Sequence, residues 1–102
     1  MNINKPQCFL IQTEPIMNFA IGDYLCCYNI PSELIEYWAL NGEGSFIFTL
    51  YKRYEIIDSE GHNIIKFISD EGKKFSLYLN DHFWETSIKP EEIFKLIKKN
   101  EN

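Results

Sequence analysis

"RYEIIDSEGHNIIKFISDEGKKFSLYL", residues 53–79, decides the fold. Runs rich in Ile, Phe and Tyr at 53–58, 62–69 and 74–79 are separated by Asp58–Gly61 and Asp70–Lys73. Each four-residue connection carries glycine late, where a hairpin loop needs a positive φ. Two hairpins in succession make a three-stranded meander. Side chains alternate across a strand, so the inward set is Tyr54 and Ile56, then Ile65 and Phe67, then Phe75, Leu77 and Leu79.

Working outward, "SFIFTLY" (45–51) reads as a further strand, or as the first arm of one bent strand with 53–58. "GDYLCCYNI" (22–30) is another. Alternation there sets Tyr24, Cys26 and Tyr28 on one face and Leu25, Cys27 and Asn29 on the other, so at most one of the adjacent cysteines is expected to be deeply buried. "QCFLIQT" (7–13) is a short apolar strand closed by Glu14 and Pro15.

Two stretches read as helices. In 31–44, Ser32 caps after Pro31, Leu34, Tyr37 and Trp38 fall at i, i+3 and i+4, and Asn41-Gly42 supplies a stop. In 89–99, Pro90 suits a first turn, Glu91 and Glu92 favour the positive end, Ile93, Leu96 and Ile97 form a stripe, and Lys98 and Lys99 sit at the negative end. The expectation is one domain over 1–102, mainly β with α, a small β-barrel over about 7–87 carrying an inserted short helix and an amphipathic C-terminal helix.

Segment 46–85 resembles a group of small phage and bacterial proteins with an SH3-like barrel. The likeness rests on Phe48-Thr49, Lys52, Tyr54-Glu55-Ile56, Asp70-Glu71-Gly72-Lys73 and Phe83. Tyr51 stands where the group's pattern has glycine. The resemblance covers under half of the chain and its motifs are turn and core residues, so it implies a fold and no activity. The Ala-Leu-Tyr-Asp-Tyr motif of peptide-binding SH3 domains is absent, and recognition of proline-rich peptides does not carry over.

Composition bounds the function. The net charge is −5, and residues 1–50 hold one lysine against five carboxylates. That balance argues against nucleic acid and anionic membranes as partners, although Lys52-Arg53, Lys73-Lys74 and Lys98-Lys99 keep a nucleic-acid-binding module as the alternative. Valine is absent, arginine occurs once, and Ile, Asn and Lys are common. Sheet physics favours valine, so the bias is genomic and suits an AT-rich bacterial or phage genome. No run approaches the roughly 20 apolar residues that span a bilayer, and the N-terminus lacks a signal-peptide pattern.

Chemistry-bearing patterns are sparse. Cys8, Cys26 and Cys27 make no framework, and free thiols in a reducing cytoplasm are expected. His62 and His82 stand apart from them in sequence, which leaves a Cys-dependent or metal enzyme the weakest alternative. The five glycines form no phosphate loop. The expectation is therefore a non-catalytic chain without cofactor or metal, a phage-type accessory protein that binds and inhibits a host protein. Its candidate partner-binding residues are Glu33, Glu36, Tyr37, Trp38 and Glu43, acids around aromatic anchors facing a basic protein surface. Tyr37 and Trp38 sealing the barrel mouth is an equal alternative.

Overall fold

A computed structural model of the chain describes residues 14–40, 47–83 and 86–99. Its strands are β1 (Tyr24–Cys27), β2 (Arg53–Glu55), β3 (Asp58–Glu60), β4 (Ile64–Ile68), β5 (Lys74–Tyr78) and β6 (Phe94–Ile97), with one helix, α1 (Ser32–Leu40). Single 3-10 turns occupy Ile16–Asn18 and Pro90–Glu92. The strands form two antiparallel three-stranded sheets, ordered β2-β1-β6 and β3-β4-β5. Among the described residues the two sheets do not close into a barrel, and no helix is long and apolar enough to cross a membrane.

The meander lies where the alternation puts it. Ile65 pairs with Leu77 and Phe67 with Phe75. Tyr54, Ile56, Ile65, Phe67, Leu77 and Leu79 are buried, and Phe75 packs against the same core. The first turn is displaced: Asp58–Glu60 is strand, and the chain turns at residues 61–63. Gly61, with φ 68°, still supplies the left-handed residue.

One bent segment, 53–60, joins the sheets. Ile56 donates its amide to Asp23 O (2.8 Å), whereas Ile57 donates to Lys66 O (2.9 Å). The backbone thus passes its hydrogen bonds from the edge of β1 to the edge of β4 within one residue. Ile56 is fully buried beneath this crossing and Ile57 is exposed.

An aromatic cluster lies at the centre of the core, surrounded by leucine and isoleucine. Phe48 sits at its centre, with ring centroids of Phe94 at 5.0 Å, Phe75 at 5.3 Å, Phe67 at 5.9 Å and both Trp38 and Phe83 at 6.0 Å. Most of these pairs are edge-to-face, the arrangement that the ring quadrupole favours. Buried rings account for part of the 16% aromatic content.

Several expectations are corrected. The C-terminal amphipathic helix is instead a 3-10 turn followed by β6, antiparallel to β1 with Leu25 opposite Leu96. A helix would gather Ile93, Phe94, Leu96 and Ile97 on one side, whereas these buried residues serve both faces of the sheet. Strand alternation achieves this: Phe94 and Leu96 join the main core, and Ile97 packs with Cys26 on the opposite face of the sheet. Pairing β1 on both edges outweighs local helix propensity. Ile47–Tyr51 forms bends and a turn rather than a strand. The strand expected at 7–13 and the stop at Asn41-Gly42 lie outside the described residues.

The faces of β1 follow alternation, Leu25 and Cys27 toward the main core and Cys26 toward Ile97, yet both cysteines are fully buried because both faces of the strand are covered. Cys26 is disulfide-bonded and Cys27 is free, so the expectation of three free thiols fails at Cys26. Cys8 lies outside the described residues.

Candidate partner-binding surface

α1 begins where Pro31 fixes the chain and its carbonyl accepts from the Leu34 amide (3.0 Å). With 3.6 residues per turn, Leu34 and Trp38 lie one turn apart and are both buried, while Tyr37 beside them is half-buried. Trp38 is 1% exposed and meets Phe48 edge-on. It belongs to the core and cannot serve as an exposed anchor. Tyr37 packs against the same cluster.

The opposite arc of α1 faces outward. It carries Ile35, 39% exposed, and Leu40, 86% exposed, with Ala39 and Glu36 between them and Glu33 beside Leu40. Glu33 has a structural tie: Ser87 donates to its carboxylate from the backbone amide (3.1 Å) and from Oγ (2.9 Å), pinning the helix start to the segment leading into β6. Glu36 is exposed. Glu43 lies outside the described residues. Of the five residues expected at the site, the helix thus brings Glu33 and Glu36 to one surface, keeps Tyr37 at its border and removes Trp38. Ile35 and Leu40 were visible in the sequence as apolar residues off the buried stripe.

A second polar centre lies at the turn Thr49–Lys52. The Lys52 amide donates to Thr49 O (3.1 Å), and Tyr51 adopts φ 70° at the third position of this turn. That is the geometry that favours glycine, so Tyr51 is a strained residue. The Tyr54 hydroxyl accepts from the Thr49 amide (2.6 Å) and donates to Asp70 Oδ1 (2.9 Å), while Lys52 Nζ reaches the same carboxylate at 2.8 Å. Burial works to raise the Asp70 pKa, but hydrogen bonds from Lys52, Thr49 and Tyr54 outweigh it and hold the pKa below the ordinary value. Burial, with the Asp70 carboxylate adding to it, pushes Tyr54 up. The group locks two loops together.

Burial likewise pushes the Cys27 thiol up to about 12, so it stays protonated at neutral pH and is a poor nucleophile. His62 and His82 are exposed. Among the described residues no group of three or more His, Cys, Asp or Glu side chains is placed to hold a metal ion. Lys52, Lys66 and Lys98 are paired with Asp70, Glu60 and Asp23, which leaves less uncompensated positive charge for a phosphate backbone than the sequence alone offers. No family model, curated protein or solved structure matches the chain.

Proposed function

We propose that this chain is a non-catalytic protein-binding module of SH3-like fold, an accessory protein of the phage type that docks on and inhibits a host protein. The observation that carries the binding role is the outward arc of α1, where Ile35, Ala39 and Leu40 lie exposed beside Glu33 and Glu36. The apolar side chains supply affinity, and the carboxylates among and beside them steer a basic partner and exclude acidic ones. The partner is accordingly a protein whose surface combines apolar side chains with lysine or arginine. The valine-free, Ile- and Asn-rich composition supports the phage setting.

The test is site-specific photo-crosslinking in a bacterial lysate. A photoreactive residue replaces Leu40 in one variant and Ile68 in another, Ile68 being exposed on β4 of the other sheet. One discrete protein adduct from position 40, suppressed by Glu36→Lys and absent from position 68, supports the proposal. Equal adducts from both positions, or none from position 40, refute it.

A further inference from the structure

β5 ends its sheet, and among the described residues no strand pairs with its outer side. The hydrogen-bond register fixes what that side offers. Leu79 donates to Asn63 O (2.8 Å) and Ser69 donates to Lys73 O (2.9 Å). Bonded and non-bonded pairs alternate in an antiparallel ladder, so Lys73, Phe75, Leu77 and Leu79 bond toward β4. Lys74, Ser76 and Tyr78 turn their amides outward. The Tyr78 carbonyl is already used by the Asp81 amide (3.2 Å), which leaves both polar groups of Ser76 as the centre of the open edge.

A groove of about 250 Å³ runs along this edge, between Phe75–Tyr78 on one side and Asp81–Phe83 with Pro90 on the other. Its apolar lining comes from Phe75, Leu77, Phe83 and Pro90. Tyr78 stands at its rim, 54% exposed. The edge is polarised along its length. Lys73 and Lys74 are exposed at the start, beside Glu71, and Asp81 is exposed at the end, beside His82.

We propose that this edge and groove take an extended segment of a partner protein by strand addition, antiparallel to β5. The segment carries a basic residue near Asp81, apolar residues opposite Leu77 and Phe75, and an acidic residue opposite Lys74. An open ladder edge specifies an extended backbone, the apolar lining specifies alternate apolar side chains, and the charges at the two ends set the direction. A second copy of the chain is a different occupant of the same edge, and the test below separates it from the partner segment. The site is separate from the outward arc of α1 and does not depend on the function proposed for it.

The probe is the peptide acetyl-Arg-Leu-Thr-Phe-Glu-amide, titrated to roughly millimolar concentration against the isotope-labelled full chain and followed by amide chemical shifts. The expected result is saturable shifts at Ser76, Tyr78 and Asp81–Phe83. The charge-reversed peptide, Glu-Leu-Thr-Phe-Arg, should bind at least about tenfold more weakly. Ser76→Pro should also lose at least about tenfold, because it removes an outward amide that the sheet does not use. Should that variant not fold, N-methylation of the central threonine deletes the matching bond from the peptide side. Glu36→Lys on α1 should leave peptide binding unchanged. No saturable shifts, equal affinity for both peptides with retained affinity after N-methylation, or shifts confined to α1 would overturn the proposal. So would concentration-dependent shifts of the β5 amides without peptide, which would give the edge to a second copy.

Discussion

Truncating Trp38 distinguishes a core residue from an interface anchor. In the folded chain Trp38 is 1% exposed, lies one turn from the fully buried Leu34 and meets Phe48 at 6.0 Å, 63° from coplanar. Trp38→Ala removes a large fully buried ring and leaves a cavity between α1 and the aromatic centre. Buried aromatic-to-alanine changes cost about 3–5 kcal/mol, and the edge contact is part of that loss. Domains of this size hold about 5–15 kcal/mol in all, so the variant should lie near the limit of folding. At roughly 4–8 °C per kcal/mol for a domain of about 100 residues, its midpoint should fall by about 12 °C or more. Urea unfolding read by circular dichroism measures the loss without relying on indole fluorescence. The slope with denaturant should stay constant, showing that the midpoint change is one of stability. Trp38→Phe, which refills much of the space, should lose clearly less. A well-folded Trp38→Ala losing under about 1 kcal/mol would refute the burial and return the indole to the surface.

Four further outcomes follow from the same structure. Tyr51→Gly should stabilise the chain by about 1 kcal/mol in urea unfolding, because left-handed backbone penalises a side chain by about 1–2 kcal/mol, partly offset by glycine's entropy; Tyr51→Val should destabilise it, and the reverse order would contradict the turn. In denaturant without reductant, Cys27 should alkylate at once while Cys26 stays blocked, and in the folded chain Cys27 should react slowly. For Asp70, the folded pKa is depressed, so its contribution is present above the unfolded value, about 4, and is lost as pH falls through the folded one; the stability gap between the parent and Asp70→Asn should be level near neutrality and close in acid. Leu40→Asp and Glu36→Lys should each change stability by less than about 0.5 kcal/mol in the same unfolding assay, since both side chains are exposed.

Where local pattern and tertiary packing agree, the fold is legible in residues alone. The inward register from Tyr54 to Leu79 needs only alternation and two glycine turns, and α1 needs only Pro31, Ser32 and the spacing of Leu34 and Trp38. The tail deceived because Ile93, Phe94, Leu96 and Ile97 suit one side of a helix as well as a strand covered on both faces; the decisive fact, an edge of β1 awaiting a partner, is not local. Phe48 likewise reads as a strand residue and is the hub of the core on a bend. On the outward arc of α1 the acids and off-stripe apolar residues were readable from helical spacing. The spacing of Leu34, Tyr37 and Trp38 left open whether the two rings seal the core or face a partner, because a two-turn helix rich in apolar residues can present more than one of its faces inward. The edge of β5 was not readable, since it exists only once the strand order is known.

Association kinetics of Glu36→Lys bear most directly on the proposed function, measured against the protein crosslinked through position 40. Glu36 is exposed within the outward arc of α1, between Ala39 and Leu40, without the tie that fixes Glu33 to Ser87. With a basic partner, the charge reversal should slow association severalfold at low salt and flatten its salt dependence, with a smaller effect on dissociation. Association rates and salt slopes equal to those of the parent chain would contradict docking through this face of the helix.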